Sequence, residues 1–177
     1  MELKVASFHK YVKIENPAEL QKQQLELCNS LNLKGRILLG AEGINGSVCG
    51  SKNSIERYKE ELKKKPLFSD IDFKEQTRQK PAFRKLFVRI RNEIVVFGKN
   101  VNLKNAGEFV APKELKNILD KKEDAVLVDM RNDYEWRIGK FRNARTLNIR
   151  NFRDLPKAIN EIEDLKEKKV IVYCTGG

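Results

Sequence analysis

The sequence GRILLGAEGINGSVCG, residues 35–50, contains two strand-like runs separated by a very short connection. Arg36–Leu39 is a mainly apolar run, and Ile44–Cys49 mixes β-branched with small residues, which are patterns typical of β-strands. The connection Ala41-Glu42-Gly43 is too short for a helical crossover. The two strands are therefore expected to follow one another directly.

Strand and helix signals alternate on both sides of these two strands. Residues 2–13 have the composition of a strand, and Asn16 begins a helix as its cap, with a proline next and Glu19 completing a capping box. A further helix follows, with Ser54 as its cap, and residues 70–75 form the next strand. The order β-α-β-β-α-β predicts a ferredoxin-like α+β domain.

The end of the first half indicates where the domains divide. Residues 84–97 (RKLFVRIRNEIVVF) add extended structure, either a hairpin or a long strand. Residues 98–111 contain two glycines and three asparagines, which predicts a linker. We therefore expect an N-terminal domain over residues 1–97, a linker over 98–111 and a second domain over 112–177.

The second half alternates helices with short apolar strands. The strand AVLVD at 125–129 is apolar until its last residue, as strands of buried parallel sheets are. This alternation predicts an α/β domain with a parallel sheet. The expected elements are a helix from Pro112, strands at 125–129 and 146–149, a helix over 155–165 and a strand at 170–173.

Charge and hydropathy restrict the function classes. Hydrophobic residues make up 40% of the chain and charged residues 34%, which is typical of a globular protein. No apolar run approaches the roughly 18 residues of a membrane span, and the start lacks a signal peptide, so we expect a cytoplasmic protein without membrane contact. The net charge of +11 favours a polyanionic partner, although a solvated basic surface has the same composition.

The three cysteines, Cys28, Cys49 and Cys174, form no CxxC pair, and an odd, sparse count argues against a disulfide framework. His9 is the only histidine, so the sequence offers no cluster of metal ligands and identifies no cofactor. Cys28 lies on the apolar stripe of the first helix and is expected in the core.

Cys174 differs from the other cysteines, because it directly follows the strand at 170–173 and precedes Thr175, Gly176 and Gly177. Reactive groups in open α/β sheets gather at the carboxyl ends of strands. The backbone N–H groups of Thr175–Gly177 are expected to form an anion nest, which lowers the pKa of a thiol and favours the nucleophilic thiolate. The alternative is a structural cysteine near a turn.

A second strand end carries polar residues that are expected to support Cys174. Asp129 closes the strand at 125–129 and is able to accept hydrogen bonds from loop amides, while Arg131 adds positive charge nearby. Both residue types are also ordinary at strand ends, so this pair alone does not identify a site.

The stretch DMRNDYEWRIGKFRNA, residues 129–144, followed by a strand that ends in cysteine, resembles a rhodanese domain. With GAEGINGSVCG at 40–50 and PAFRKLFVRIRNEIVVFG at 81–98, the chain resembles bacterial rhodanese-related tRNA uridine hydroxylases over essentially its whole length. Lys140 departs from the pattern, since rhodanese domains commonly have histidine there. The matching rhodanese residues are Asp129, Arg131, Glu135, Trp136, Gly139, Phe141, Ala144 and Cys174.

This resemblance implies an acylphosphatase-like N-terminal domain, a rhodanese-like second domain, and oxygen-dependent hydroxylation of the wobble uridine of tRNA at carbon 5. Cys174 is then essential, molecular oxygen is a co-substrate, and the anticodon region of tRNA is the partner. The alternatives are a rhodanese-type sulfurtransferase with a persulfide on Cys174, and a non-catalytic RNA-binding protein. A rhodanese loop is expected to continue past Gly177, so we expect the chain to be truncated after the catalytic cysteine.

Five basic residues before the linker, called the basic tract, are Lys80, Arg84, Lys85, Arg89 and Arg91. They are expected to contact RNA phosphates, with Phe83 or Trp136 stacking on splayed bases. A solvated sheet edge protected by positive charge is the other interpretation. Glu42, Gly43 and Asn45 are expected either to serve the active site or only to form a hairpin turn.

Overall fold

The computed structural model describes residues 2–99, 106–121 and 124–175. Contacts within the chain divide it into two compact units, one ending at Val95 and the other beginning at Val96. This division precedes the predicted linker at 98–111, of which residues 100–105 lie outside the described residues.

The first unit is a five-stranded sheet with two helices packed against it. It contains β1 (Leu3–Tyr11), α1 (Pro17–Ser30), β2 (Lys34–Gly40), β3 (Gly43–Ser51), α2 (Lys52–Lys63), β4 (Lys74–Arg78) and β5 (Leu86–Ile90). The strand order is β4-β1-β3-β2-β5; β5 is parallel to β2, and the other pairs are antiparallel. The predicted β-α-β-β-α-β order is confirmed, with β5 added at the sheet edge.

Side-chain hydrogen bonds fix where the two helices begin. Asn16 Oδ1 accepts from the Glu19 N–H at 3.1 Å, so Asn16 caps α1 as predicted, but the Glu19 carboxylate accepts from Gln23 instead of completing a capping box. The prediction of Ser54 as the cap of α2 is wrong. Ser51 Oγ accepts from the Ser54 N–H at 3.1 Å, because the chain passes directly from β3 into the helix.

The strand predicted at 70–75 is displaced, since β4 begins only at Lys74. A short 3-10 helix, Pro66–Phe68, comes first, and the Ile71 N–H donates to the Phe68 carbonyl at 3.1 Å. This turn buries Ile71 in the core. Its apolar side chain therefore indicates burial and not a strand.

The core of the first unit lies between the sheet and the helices. Cys28 is fully buried there, as predicted, and burial raises the pKa of its thiol to about 12. Tyr58 is also fully buried, and its hydroxyl donates to Gln24 Oε1 at 2.7 Å, which links α2 to α1. The sheet residues packed into this core include Ala6, Phe8, Ile37, Leu39, Ile44, Val48 and Val88.

The stretch 84–97 contains one short strand, β5, and the predicted hairpin or long strand is wrong. Beyond β5 the chain is held at Ile94, where Glu42 Oε1 accepts from the N–H at 2.6 Å and Asn45 Nδ2 donates to the carbonyl at 2.9 Å. Gly43 is required between them, because at its φ of +149° a Cβ would lie 2.1 Å from a backbone oxygen of β1. In the first unit these three residues therefore hold the β2–β3 turn against the segment after β5.

The second unit contains α3 (Pro112–Asp120), β6 (Ala125–Asp129), α4 (Asp133–Ile138), β7 (Arg145–Thr146), α5 (Leu155–Ala158) and β8 (Lys169–Tyr173). Its strands are parallel in the order β7-β6-β8, which confirms the predicted α/β domain with a parallel sheet. No helix in the described part of the chain is long and apolar enough to cross a membrane.

Of the strand predicted at 146–149, only Thr146 pairs with the sheet, as the last residue of β7. Leu147 and Ile149 lie beyond the paired residues and are fully buried in the core of the second unit. Their apolar character therefore reports packing against neighbouring side chains, and the backbone leaves the sheet after Thr146.

The helix predicted over 155–165 is interrupted. The short α5 is followed by a 3-10 segment, Ile159–Leu165, in which Ile162 has a non-helical φ of −123°. Arg145 Nη2 donates to the Glu161 carbonyl at 2.7 Å. A continuous α-helix would use that carbonyl for its own backbone ladder, so this side-chain contact is compatible with the kink.

The contact between Glu42 and Ile94 predicts a measurable stability effect. Glu42→Ala leaves a half-buried N–H without its acceptor, which lowers the free energy of unfolding by about 1–3 kcal/mol. Glu42→Gln keeps an acceptor oxygen and is expected to retain most of the stability. Urea unfolding of the whole chain measures both, with exposed Glu60→Ala on α2 as the matched control. Equal midpoints for Glu42→Ala and Glu60→Ala would contradict the role of Glu42 in this turn.

Candidate active site

The carboxyl ends of β6 and β8 lie side by side. Asp129 pairs in register with Tyr173, and the Met130 N–H donates to the Tyr173 carbonyl at 2.9 Å. Cys174 directly follows β8 and is exposed. The structure thus brings Asp129 and Cys174 to the same edge of the parallel sheet, where strand-end residues of α/β folds meet ligands.

A buried carboxylate organises this edge. Asp129 is fully buried, and its Oδ1 accepts from the backbone N–H and the Nε of Arg131 at 3.0 and 2.9 Å. Its Oδ2 accepts from Arg131 Nη2 at 2.7 Å and from the Tyr173 hydroxyl. Each carboxylate oxygen therefore has two donors, which is the compensation that a buried charge requires.

These contacts set the ionisation of all three side chains. Burial opposes the charged form of Asp129, but the hydrogen bonds from Arg131 and Tyr173 outweigh it and hold its pKa below the ordinary value. The hydrogen bond to Asp129 raises the pKa of Arg131, and burial together with Asp129 raises the pKa of Tyr173. At neutral pH the network is an aspartate, an arginine cation and a neutral tyrosine that donates its proton.

The loop after α4 is attached to the same network. Arg131 Nη2 also donates to the Gly139 carbonyl at 2.7 Å, and the Phe141 N–H donates to the Tyr173 hydroxyl oxygen at 3.3 Å. The Phe141 ring meets the Tyr173 ring edge-on, with centroids 5.0 Å apart and planes at 86°. Lys140, in the position where histidine was expected from the resemblance, donates from Nζ to the Ala144 carbonyl at 2.8 Å.

An open cleft of about 430 Å³ lies at this edge of the sheet. Its walls are formed by Arg131, Gly139, Lys140, Phe141, Tyr173, Cys174 and Thr175. The cleft places the exposed thiol among one arginine, one lysine and two aromatic rings. Such a lining suits a flat ring system that carries or develops negative charge.

The residue after the cysteine contacts α4. The Thr175 hydroxyl donates to Glu135 Oε1, and Glu135 Oε2 accepts from the Asn132 N–H at 3.2 Å and from Asn132 Nδ2 at 3.0 Å. Glu135 therefore connects the start of α4 to the chain after Cys174. Of the predicted anion nest Thr175–Gly177, only Thr175 belongs to the described residues; Gly176 and Gly177 lie outside them.

Neither of the two aromatic residues predicted to stack on bases, Phe83 and Trp136, lines the cleft. Trp136 Nε1 donates to the Leu147 carbonyl at 3.2 Å, and this contact anchors α4 on the core of the second unit. Phe83 is half-buried in the first unit. The aromatic walls of the cleft are Phe141 and Tyr173. Tyr173 was missed as a site residue, and the signal for it was a polar hydroxyl at the end of an apolar strand.

The basic tract is exposed in the first unit. Arg89 lies over the Phe87 ring, with its guanidinium carbon 4.8 Å from the centroid, and Arg91 Nη1 donates to the Ile90 carbonyl at 3.0 Å. Within the described residues, none of the tract residues pairs with a carboxylate. The tract residues are Lys80, Arg84, Lys85, Arg89 and Arg91.

A metal site is not formed by the described residues, among which no group of three or more His, Cys, Asp or Glu side chains is arranged to hold an ion. The cleft presents a thiol and a cation in its lining, and a buried carboxylate fixes the cation in place.

Comparison with known proteins gives two family matches. Residues 3–94 match the UPF0176 acylphosphatase-like domain, and residues 111–177 match the rhodanese-like domain. Proteins named tRNA uridine(34) hydroxylase from Streptococcus suis (strain 05ZYH33) and Streptococcus pyogenes serotype M5 (strain Manfredo) are 43% identical to the chain over 186 and 185 residues. Each alignment covers 99% of this chain and 56% of the relative, so the chain spans about half the length of the curated relatives it matches.

Solved structures show weaker similarity. An acylphosphatase from Coxiella burnetii aligns with 50% of this chain and 93% of its own, at a TM-score of 0.36 and 14% identity. The BLUF protein BlrB aligns with 55% of this chain and 79% of its own, at a TM-score of 0.46 and 13% identity.

The lowered pKa of Asp129 predicts how stability depends on pH. A carboxyl whose pKa is lowered by folding stabilises the protein above its unfolded pKa of about 3.9, and this contribution is lost as the pH falls through the folded pKa. Tyr173→Phe removes one donor from Asp129, so it is expected to lower the free energy of unfolding by about 1–3 kcal/mol at pH 7 and by less in acid.

Urea unfolding followed by fluorescence measures this effect, because Trp136 is the only tryptophan and lies in the second unit. Tyr134→Phe, at an exposed tyrosine of α4, is the matched control and is expected to change the free energy of unfolding by less than about 0.5 kcal/mol. If Tyr173→Phe follows the same pH profile as the wild type, Tyr173 does not stabilise the ionised carboxylate.

Proposed function

The chain belongs to the UPF0176 family, and on this premise we propose that it hydroxylates uridine 34 of tRNA at carbon 5, with Cys174 as the nucleophile. The observation that carries the proposal is the exposed thiol directly after β8, in a cleft with the Arg131 cation. The curated relatives at 43% identity are named for this reaction, which supports it.

Arg131 is suited to act on an anion in this cleft. Its Nε and Nη2 donate to Asp129, and Nη2 also donates to the Gly139 carbonyl, so these hydrogen bonds do not use its Nη1. Its side chain is 18% exposed. Asp129 thus fixes the plane of the guanidinium and leaves one edge for a thiolate or for the oxygen of a uracil enolate.

The thiol supplies a chemical route to carbon 5 of uracil. Addition of the Cys174 thiolate to carbon 6 moves the ring electron pair to carbon 5 and its conjugated carbonyl, where a nearby cation stabilises the negative charge. Carbon 5 then takes one oxygen atom from molecular oxygen, and a two-electron donor with two protons converts the other atom to water. Loss of the proton on carbon 5 expels the thiolate and restores the double bond.

The basic tract supports tRNA as the substrate. Its five exposed cations lack carboxylate partners in the described structure, so they are available to phosphates. Each phosphate that a lysine or arginine neutralises releases counterions, which strengthens binding at low salt. The uridine at position 34 is unpaired in an anticodon loop, so a base there is able to enter an open cleft without the loss of base pairs.

A sulfurtransferase is the second candidate function. The match of residues 111–177 to the rhodanese-like domain and the exposed Cys174 favour it, because a persulfide anion on this sulfur has the same need for the Arg131 cation. Treatment with thiosulfate followed by intact-mass measurement detects the added sulfur atom, and transfer to cyanide tests its turnover.

Replacement of Cys174 tests the proposed activity. In cells that lack the gene, tRNA nucleosides are measured by mass spectrometry after complementation with the full-length wild type, Cys174→Ala or Cys49→Ala. We expect the oxidised wobble uridine to return with the wild type and with Cys49→Ala, whose thiol is buried in the first unit, and to stay absent with Cys174→Ala. Restoration of the modified nucleoside by Cys174→Ala would contradict the assignment of Cys174 as the nucleophile. An unchanged level of that nucleoside in the deletion strain would contradict the proposed hydroxylation.

Salt dependence tests the basic tract. The triple variant Lys80→Ala, Arg84→Ala and Lys85→Ala is expected to weaken tRNA binding and to reduce the slope of log K against log salt by about 2–3, since each contact contributes roughly 0.7–0.9. The control is a triple variant of exposed cations on the helices, Lys22→Ala, Lys52→Ala and Arg57→Ala. Equal slopes for the two triple variants would contradict phosphate contacts by the tract.

A further inference from the structure

One face of the first sheet is turned away from the helices. The core residues of the strands point to α1 and α2, so the alternate residues stand on the opposite side, called the open face. Its members are Leu3, Val5, Ser7, His9 and Tyr11 on β1, Lys34, Arg36 and Leu38 on β2, Asn45, Ser47 and Cys49 on β3, Lys74, Gln76 and Arg78 on β4, and Phe87 and Arg89 on β5. Val5 and Cys49 are buried, and Asn45 is hydrogen-bonded to the buried Ile94, so the exposed part of this face is the row that contains Ser7 and the cations around it.

The strand register arranges these side chains in rows across the sheet. One row runs from Lys74 through Ser7, Ser47 and Arg36 to Phe87. The next row runs from His9 through Asn45 and Leu38 to Arg89. Small hydroxyl side chains occupy the centre of the first row, where Ser7 Oγ and Ser47 Oγ lie 2.8 Å apart. The centre therefore carries short side chains, with Lys74 on one side and Arg36 and Phe87 on the other.

The open face carries charge of one sign. Five cations stand on it, and no Asp or Glu occupies an outward position of the five strands, all of which are described. On the other side of the sheet, Glu75 pairs with Lys4 and Lys59. None of the outward cations pairs with a carboxylate in the described structure. They are Lys34, Arg36, Lys74, Arg78 and Arg89.

An exposed aromatic ring lies within this cationic surface. Phe87 is 44% exposed, and its neighbours on this face are arginines. Arg89 lies over the ring, with 4.8 Å from its guanidinium carbon to the centroid, and Arg36 is its partner in the adjacent strand. Aromatic rings flanked by arginines on an open sheet are platforms on which unpaired bases stack, while the arginines meet the phosphates.

We propose that the open face binds a single-stranded segment of RNA, with one base stacked on Phe87, its neighbouring phosphates held by Arg36 and Arg89, and a phosphate further along the segment held by Lys74 at the other edge of the sheet. The inference rests on the proposed function for RNA as the substrate class, and it assigns the surface and the unpaired state of the RNA. A duplex fits less well, because its bases present no exposed faces to Phe87. Serine hydroxyls at the centre of the first row leave room for the sugar-phosphate backbone.

Fluorescence anisotropy with the whole chain and a labelled 12-residue oligouridylate tests this surface. Phe87→Ala is expected to weaken binding roughly 5- to 150-fold, the equivalent of about 1–3 kcal/mol for one stacked base. The double variant Arg36→Glu and Arg89→Glu is expected to weaken it further and to reduce its salt dependence. Two controls are expected to keep wild-type affinity. One is Leu67→Ala, at an apolar residue with 43% exposure, and the other is the triple variant of cations on the two helices, Lys22→Ala, Lys52→Ala and Arg57→Ala.

Thermal unfolding checks that each variant is folded. Wild-type affinity in both Phe87→Ala and the charge-reversed variant would overturn the inference, as would absence of oligouridylate binding by the wild type. Equal affinity for a duplex of the same length, for polyglutamate or for anionic vesicles would also overturn it.

If Phe87 is needed for oligouridylate binding but tRNA nucleosides do not depend on the gene, the surface stands and the proposed hydroxylation fails. If nucleosides depend on Cys174 and oligouridylate binding does not depend on Phe87, the reverse holds.

Discussion

The buried carboxylate of Asp129 is the group on which the candidate active site depends. A charge without exposure to water is tolerated only when donors surround it, and here Arg131 and Tyr173 supply all of them. One side chain thereby fixes the end of β6, the end of β8 and, through the Gly139 carbonyl, the loop that forms the cleft wall. Cys174 is positioned because the strand before it ends in this network.

In the first unit, buried backbone groups also need side-chain partners. Ile94 is buried after an edge strand, and its N–H and carbonyl would both lack partners without Glu42 and Asn45. Two motifs that are equally conspicuous in the sequence thus have different roles. In the first unit Glu42 and Asn45 supply hydrogen-bond partners for the backbone of Ile94. In the second unit Asp129 orients the Arg131 cation in the cleft that Cys174 also lines.

Most of the fold could be predicted from the sequence, because strands and helices with a clear apolar period follow local rules. The errors occurred where tertiary contacts decide. Ile71, Leu147 and Ile149 are apolar because they fill the cores, and no strand is needed for that. The kink near Ile162 coincides with a side-chain contact from Arg145, which no local pattern encodes. At the candidate site, strand ends were sufficient to single out Asp129, Arg131 and Cys174, whereas the hydroxyl of Tyr173 gained its role only from the pairing of β6 with β8.

The unequal burial of the three cysteines has a practical consequence for chemical labelling. Cys28 and Cys49 are buried, and burial raises the pKa of Cys28 to about 12, so neither thiol is accessible to an alkylating reagent in the folded chain. Cys174 alone among them is exposed. An electrophilic probe is thus directed to the mouth of the cleft without any cysteine being removed, and a spin label or cross-linker attached there senses whatever enters.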